Sequence, residues 1–267
     1  MKRFAFLVVI SVFIAGTFPY HTPPVVNVEE TLIHKNLPQA SQKPFKKGEK
    51  LKFRIGYGFL GGGEAEIEIK DDNNSVHGKN LIHIVGTGKS YRTWDWFFKV
   101  RDRYETFIDD EQYCPWLFIR RVDEGGYIIN QDYKFFQDKQ LVKTQRGESH
   151  KVPANVQDML SAFFYARTFD FSNLEKGEIV TVMSFIDDEV YPLSIKYYGN
   201  ESVKVKAGMF DCMKFVPIVQ EGRIFKEEED LLVWISNDAN KIPVKLEAKI
   251  LIGSLEMELT GYEGLAN

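Results

Sequence analysis

The sequence predicts a mainly β protein built on one large, strongly curled antiparallel sheet, in the form of a half-barrel or open barrel. Three observations support this fold class. Short runs of alternating apolar and polar residues recur from residue 51 to residue 261, turn residues separate these runs, and a strongly apolar helical pattern interrupts them. A flat sheet of so many strands would expose long edges and an apolar face, so we expect the sheet to curl.

The alternation locates the individual strands. Leu51, Phe53, Ile55 and Tyr57 alternate in the first run, and Ala65, Ile67 and Ile69 alternate in the second. Further strands are predicted near residues 80–87, 100–109, 115–122, 126–136, 139–145, 178–186, 189–198, 202–207, 210–219, 230–236, 242–250 and 254–261. Because all of these strands can share one sheet, a single β-rich domain over residues 48–267 is the simplest organisation.

Two helices are predicted on or inside the curled sheet. The longer one covers about residues 155–168, where apolar side chains recur at helical spacing and Asn155 is a natural N-cap. Its apolar stripe consists of Val156, Met159, Leu160, Phe163 and Phe164 and continues to Arg167. The shorter helix covers about residues 93–98, with Thr93 as its cap, Trp94, Phe97 and Phe98 on its apolar face, and Trp96 exposed.

The N-terminal region predicts export from the cytoplasm. Residues 1–20 have the layout of a signal peptide, because Lys2 and Arg3 precede an apolar run that ends near Ile14 and small residues follow. This run is shorter than the roughly 20 residues of a membrane span, and we expect no transmembrane segment in the mature chain. Residues 21–47 are rich in Pro, Gln, Lys and Asn and are predicted to form an irregular tether.

Charge and cysteine content limit the class of partner and the covalent structure. The formal net charge is −4, and removal of residues 1–20 makes it more negative, which argues against nucleic acid and anionic membrane surfaces as partners. An exported compartment permits Cys114 and Cys212 to form a disulfide. The sequence leaves this disulfide open, with two separate buried thiols as the alternative.

No catalytic set or cofactor site stands out in the sequence. None of the five histidines has another His or a Cys at metal-ligand spacing, so we expect no metal and no cofactor. Ser149 and His150 are neighbours, but adjacent residues of an extended chain point to opposite faces and do not easily form a nucleophile–base pair. We therefore expect a protein that is not an enzyme.

One group of polar residues is predicted to face the interior. Asp102 falls on the apolar side of its strand, together with Tyr104 and Ile108. If the next strand pairs with its aromatic face aligned, Arg120 lies opposite or diagonal to Asp102. We therefore predict an inward Asp102–Arg120 ion pair, with Arg167 as a second possible partner of Asp102.

This pair has two interpretations. It is either a polar anchor in a ligand cavity, where Arg120 would hold a carboxylate or phosphate headgroup, or a structural pair that fixes strand register and docks the helix. The expected apolar lining of such a cavity consists of Trp94, Phe97, Phe98, Tyr104, Trp116, Phe118, Met159, Leu160, Phe163 and Phe164.

Several segments between Gly48 and Glu263 carry a family resemblance. They include "GEKLKFRIGYGFLGGGEAEIEI", "FFKVRDRYETFID", "RRVDEGGY", "VPANVQDMLSAFFYAR", "AGMFDCMKF" and "WISNDANKIPVKLEAKILIGSL". These segments resemble the domain-of-unknown-function family 3108, exported β-rich proteins of Gram-negative bacteria. More remotely, the layout is similar to periplasmic lipoprotein carriers of the LolA and LolB kind. The resemblance implies a location in the periplasm or on the periplasmic face of the outer membrane, and it supplies no catalytic residue.

The leading functional hypothesis is a non-enzymatic envelope protein. It would hold a hydrophobic or amphiphilic ligand, such as a lipid or an acylated polypeptide, in the concave face of its sheet. The alternative is a structural or interaction module with a solid core, whose partner is another envelope protein. An uncharacterised hydrolase is the third hypothesis.

Overall fold

The structure is a computed structural model that describes residues 42–57, 60–76, 79–218, 230–249 and 254–267. The predicted signal peptide, residues 1–20, and residues 21–41 of the predicted tether lie outside the described residues. No helix in the described part of the chain is long and apolar enough to cross a membrane.

The described residues form one large antiparallel sheet that is not closed, as the alternation predicts. Its strands are β1 (Lys50–Tyr57), β2 (Leu60–Ile69), β3 (Asn74–Val76), β4 (Lys79–Ser90), β5 (Val100–Asp109), β6 (Pro115–Glu124), β7 (Tyr127–Phe136), β8 (Leu141–Thr144), β9 (Ser149–Lys151), β10 (Ile179–Ile186), β11 (Glu189–Val205), β12 (Gly208–Ile218), β13 (Leu231–Ser236), β14 (Pro243–Lys249) and β15 (Ser254–Glu263). Their order in the sheet is β10-β11-β12-β13-β14-β15-β1-β2-β4-β5-β6-β7-β8-β9, with β3 paired to β4.

The strands match the predicted runs closely, with two differences. β11 is one strand of 17 residues where two were predicted, because a bulge at Tyr197–Gly199 lets it bend without ending. The short strands β3 and β9 were not predicted, since three residues are too few to show an alternation.

The two ends of the sheet approach each other without forming a ladder. The chain leaves β9 and makes an isolated parallel bridge to β10, in which the Gln157 N–H donates to the Met183 carbonyl at 2.9 Å. The Phe185 N–H in turn donates to the Gln157 carbonyl at 2.7 Å. The turn between β10 and β11 also reaches side chains of β6 and β7. The sheet is therefore an open barrel whose seam is covered by residues 152–160.

The long helix is shorter than predicted. Helix α1 (Ser161–Arg167) has seven residues, and the prediction of a start at Asn155 is wrong. Asn155 has a left-handed φ of 58°, and Gln157 is engaged with β10, so the chain becomes helical only afterwards. Asp158 supplies the cap, because its Oδ1 accepts hydrogen bonds from the backbone N–H groups of Leu160 and Ser161, both at 2.8 Å.

The predicted helix over residues 93–98 is a hydrogen-bonded turn. The Trp94 N–H donates to the Tyr91 carbonyl at 2.8 Å, and the Phe98 N–H donates to the Trp94 carbonyl at 3.0 Å. A single turn of helix gains too few hydrogen bonds to extend by itself, and the chain must reverse here from β4 into β5. Phe97 is exposed, against the prediction, whereas Trp96 is exposed as predicted.

The ordered domain begins before residue 48. Phe45, at the end of the predicted tether, is buried and packs edge-on against Phe164, with ring centroids 5.1 Å apart. Pro44 is buried beside it. Residues 44 and 45 are therefore part of the core, because the apolar helix offers Phe45 an aromatic surface to cover.

The two cysteines do not form a disulfide. Both are free and buried. Cys114 precedes β6 and lies 3.6 Å from the Gln157 side chain, whereas Cys212 lies in β12 and packs in a different apolar cluster, beside Trp234. Burial raises the pKa of the Cys114 thiol to about 11 and that of the Cys212 thiol to about 12. Of the two alternatives, separate buried thiols is the one that the structure contains.

Candidate functional site

The β5–β6 hairpin places several polar side chains in the interior. Asp102 pairs with Val122 across the two strands and Tyr104 pairs with Arg120, so Arg120 lies diagonal to Asp102. All three polar side chains are buried, together with Glu124 at the end of β6. The alternation on β5 therefore positions Asp102 as the sequence predicts.

The ion-pair partner of Arg120 differs from the prediction. Arg120 Nη1 donates to Asp187 Oδ1 at 2.9 Å, and Asp187 lies in the turn between β10 and β11. The predicted Asp102–Arg120 ion pair is therefore wrong as a direct contact. Arg120 still acts on Asp102 at longer range, because its positive charge partly offsets the rise that burial causes in the pKa of the Asp102 carboxyl. The curl of the sheet brings Asp187 over β6, and a two-strand pattern cannot reveal this contact.

Asp102 and Glu124 form a pair of carboxyl groups. Burial raises the pKa of Asp102 to about 6. Burial, together with the negative charge of Asp102, raises the pKa of Glu124 to about 8. Glu124 therefore keeps its proton at neutral pH beside Asp102, whose Oδ1 accepts the Asp123 N–H at 3.2 Å.

Glu124 was not singled out from the sequence. The signal that could have found it is the continuation of the inward-facing series, because Phe118, Arg120 and Val122 precede it at every second position. A charged side chain at the end of a strand looks solvated in a sequence, and only the curl of the sheet buries it.

Four buried polar atoms at this site have no hydrogen bond to any described residue. They are the hydroxyl of Tyr104, Nε of Arg120, Oδ2 of Asp102 and Oδ2 of Asp187. The Tyr104 ring lies beside the guanidinium, with Cζ of Arg120 5.9 Å from the ring centroid. A buried polar atom left without a partner costs about 1–3 kcal/mol, so several of them in one place need an explanation. We refer to Asp102, Tyr104, Arg120, Glu124 and Asp187 as the buried polar cluster.

Tyr133 of β7 holds the turn that carries Asp187. Its hydroxyl donates to Asp188 Oδ1 at 2.7 Å and accepts the Asp188 N–H at 3.0 Å. Both Asp187 and Asp188 have left-handed φ angles, of 49° and 68°, so this turn is held in an uncommon backbone conformation. The cluster is therefore built from both sides of the open seam.

Arg167 belongs to a different site. Its guanidinium binds both oxygens of Glu49, at 2.6 and 2.9 Å, and donates to the carbonyls of Pro44 and Asn240. The prediction that Arg167 is a partner of Asp102 is therefore wrong. Each of these contacts joins residues far apart in sequence, and the Arg167–Glu49 pair is fully buried. We call this pair a structural pin, because it fastens distant segments of the chain to one another.

The ten residues predicted to line one apolar cavity are divided among several places. Tyr104, Phe118 and Met159 are buried in one cluster, and Leu160 packs against it. Phe164 is buried with Phe45, and Phe163 packs between that cluster and the one around Phe215. Trp94, Phe97 and Phe98 lie in the turn that precedes β5.

Trp116 departs from the predicted face because of a β-bulge. Ile108 pairs with Pro115 and Phe107 pairs with Leu117, so Trp116 is the extra residue of β6. Its side chain is half-buried, and the ammonium group of Lys79 lies 5.9 Å from the centroid of its ring. Trp116 therefore does not join Phe118 and Arg120 on the buried face.

Asp158 is a further buried carboxyl group. Its Oδ2 accepts the hydroxyl of Thr106, on β5, at 2.6 Å, so the residue that caps α1 also fastens the helix to the hairpin. Burial raises the pKa of Asp158 to about 6. Its role as a link between helix and sheet was not visible in the sequence, where it looked like an ordinary first-turn acid.

The single curled sheet, with the buried polar cluster at its β5–β6 hairpin, defines a β-barrel-like protein with polar side chains in its interior. The chain belongs to the family described as "Protein of unknown function (DUF3108)", whose model matches residues 52–260. This confirms the family that the sequence segments indicated. No curated protein matches the chain.

Among solved structures, a β-barrel-like DUF1849 protein from Brucella abortus is similar in fold, with a TM-score of 0.53, 10% identity, and coverage of 82% of this chain and 98% of that chain. A lipoprotein candidate from Parabacteroides distasonis matches with a TM-score of 0.38, 10% identity and coverage of 84% and 100%. An exported-protein candidate with a YmcC-like fold from Bacteroides fragilis has a TM-score of 0.33, 10% identity and coverage of 82% and 97%. At these identities the first match supports the fold alone.

Proposed function

We propose that this protein is exported to the cell envelope and binds an amphiphilic molecule without chemical conversion, with the polar group of the ligand at the buried polar cluster. The observation that carries this proposal is the group of four buried polar atoms, Tyr104 Oη, Arg120 Nε, Asp102 Oδ2 and Asp187 Oδ2, that have no partner among the described residues. A ligand hydroxyl at this position can accept the Arg120 Nε–H and donate its own proton to one of the unpartnered carboxylate oxygens. The signal peptide predicted over residues 1–20 supports the location.

The charges of the cluster favour a particular headgroup. Arg120 is already neutralised by Asp187, and the Asp102–Glu124 pair keeps one negative charge when it shares one proton. An added carboxylate or phosphate would be repelled by this excess of negative charge. We therefore replace the anionic headgroup of the sequence hypothesis with an alcohol or an amine, which donates hydrogen bonds to carboxylates.

Apolar side chains next to the cluster suit the hydrocarbon part of such a ligand. Phe118, Val122 and Ile186 are buried in the same apolar cluster as Tyr104, and Leu160 packs against it. An alkyl chain that lies along this wall would exchange water contacts for dispersion contacts. Neighbouring residues can therefore contact both the polar part and the apolar part of one ligand.

Binding can be tested with three probes of equal chain length: dodecanol, dodecylamine and dodecanoate. We expect dodecanol and dodecylamine to bind, measured by isothermal titration below their micelle concentrations, and dodecanoate to bind about tenfold more weakly or not at all. Tyr104→Phe removes one unpartnered hydroxyl, so probe affinity should fall about fivefold while stability stays the same or rises.

The matched control is Tyr197→Phe. Tyr197 is also buried, but its hydroxyl donates to Asn200 at 2.9 Å in another part of the sheet. This variant should lose stability and keep probe affinity. If dodecanoate binds best, the headgroup argument fails. If no probe binds, and native mass spectrometry of the protein recovered from the envelope shows no co-purified lipid, the solid-core interaction module becomes the better hypothesis.

A further inference from the structure

Four large apolar side chains project from one end of the β5–β6–β7 region. Trp96 is 82% exposed and Phe97 is 55% exposed, in the turn before β5. Tyr127 is 46% exposed and Ile128 is 65% exposed, at the start of β7. We refer to these four residues as the aromatic rim. They include the most exposed aromatic side chain in the described part of the molecule, so burial of the core does not explain them.

The two halves of the rim are held together by the backbone. The Gly125 N–H, in the turn between β6 and β7, donates to the Lys99 carbonyl at 2.8 Å. A Cβ atom on Gly125 would lie 2.6 Å from the Phe98 ring, so the two turns are in close contact. Trp96 and Phe97 pack edge-on, with ring centroids 5.9 Å apart. The turn that carries Trp96 and Phe97 and the turn that leads into β7 are therefore fixed against each other.

Charged residues around the rim largely neutralise one another. Lys99 Nζ pairs with Asp123 Oδ2 at 3.0 Å, and Arg101 Nη2 pairs with Asp95 Oδ2 at 2.6 Å. Arg92 is exposed in the same turn and adds one positive charge. The buried Asp102–Glu124 pair next to the rim adds negative charge that offsets Arg92, so this end is close to neutral as a whole. A near-neutral surface is not repelled by a zwitterionic one, and Arg92 supplies a cation for its phosphate groups.

The rim also lies beside the buried polar cluster. Glu124 immediately precedes Gly125, and it pairs across the hairpin with Val100, which follows Lys99 in the next position. Asp102 is two residues further along β5. Any surface that contacts the aromatic rim therefore also lies next to the Asp102–Glu124 carboxyl pair.

We propose that the aromatic rim docks onto a zwitterionic phospholipid surface, with Trp96 and Phe97 in the headgroup region and Arg92 at the phosphates. Tryptophan and tyrosine favour the membrane interface because their rings are apolar and their N–H and O–H groups reach water and headgroups. The neutral charge of the rim excludes dependence on anionic lipid. This docking stands on exposure, packing and charge at the rim and does not depend on ligand binding in the cluster.

The test is flotation of the protein with phosphatidylcholine vesicles on a density gradient. We compare wild type, Trp96→Ser and the matched control Met209→Ser, which removes another strongly exposed apolar side chain, 65% exposed on β12. All three proteins are produced in the same way without residues 1–20, the predicted signal peptide, so the apolar run of residues 4–14 does not contribute to binding. Circular dichroism and urea denaturation verify that all three are equally folded.

We expect wild type and Met209→Ser to bind alike and Trp96→Ser to bind about tenfold more weakly, because insertion of one large aromatic side chain accounts for at least that factor. Tryptophan emission of the wild type should shift to shorter wavelength with vesicles, and this shift should be lost in Trp96→Ser. Equal binding of all three proteins would overturn the proposal. So would a wild-type dimer in sedimentation without lipid that Trp96→Ser abolishes, since a second copy would then be the occupant of the rim.

Discussion

Replacement of Glu124 by glutamine should remove a specific pH dependence of stability. Burial gives the Asp102–Glu124 pair pKa values of about 6 and about 8, whereas the unfolded carboxyl groups titrate near pH 4. Between pH 6 and pH 8 the folded pair therefore holds one proton that the unfolded chain has already released. Because the folded-state pKa values are raised, this contribution to stability is complete below the unfolded pKa and is lost as the pH rises through the folded pKa.

The magnitude follows from proton linkage. One extra proton in the folded state changes the free energy of unfolding by about 1.4 kcal/mol per pH unit. Titration is partial at both ends of the window, so wild type should lose about 2 kcal/mol between pH 6 and pH 8 from this pair. In Glu124→Gln the neutral amide can donate to Asp102 at every pH, so the loss should disappear.

Urea denaturation at pH 6, 7 and 8 measures this effect for wild type, Glu124→Gln and the control Glu111→Gln, which alters an exposed side chain. The difference in free energy of unfolding between wild type and Glu124→Gln should change by about 2 kcal/mol across the window. The difference between wild type and Glu111→Gln should stay constant. Parallel curves for wild type and Glu124→Gln would refute a shared proton in the Asp102–Glu124 pair.

Two other substitutions address the structural contacts. Glu49→Gln removes the charge partner of the buried Arg167 and should lower the free energy of unfolding by about 3–5 kcal/mol, measured by urea denaturation; a loss below about 1 kcal/mol would mean that the pair is not a structural pin. Gly125→Ala should destabilise more than Gly126→Ala, by about 1–2 kcal/mol. Both glycines have positive φ, but only a Cβ on Gly125 meets the Phe98 ring, so equal losses would contradict the close contact of the two turns.

The strands and their buried faces could be predicted because they are local properties. The alternation of apolar and polar residues identified most of the strands. The inward position of Asp102 followed from its place between Val100 and Tyr104 on β5. Trp116 shows the limit of this argument. One extra residue in a strand reverses the faces beyond it, and Pro115, which lies beside the bulge, is equally typical of an ordinary strand start.

The partners of the buried charges could not be predicted, since they depend on how the sheet curls. Arg120 meets Asp187 across 67 residues, and Arg167 meets Glu49 across 118 residues. The predicted start of the long helix was wrong for a related reason. Asn155 and Asp158 are both good caps by residue type, and only the bridge from Gln157 to β10 decides between them.

The pairing of β1 with β15 has a consequence for how the molecule folds. Every other ladder in the described sheet joins strands that are near one another in the chain, so hairpins can form early and in sequence. The β1–β15 ladder joins Lys50 to Glu263 and lies in the middle of the sheet. Closing so long a loop is slow, and until it happens β1 and β15 each present an unpaired edge. A chain that is secreted from its N-terminus would therefore first form two half-sheets with exposed strand edges. Before these half-sheets join, the chain is most exposed to aggregation and to the chaperones of its compartment.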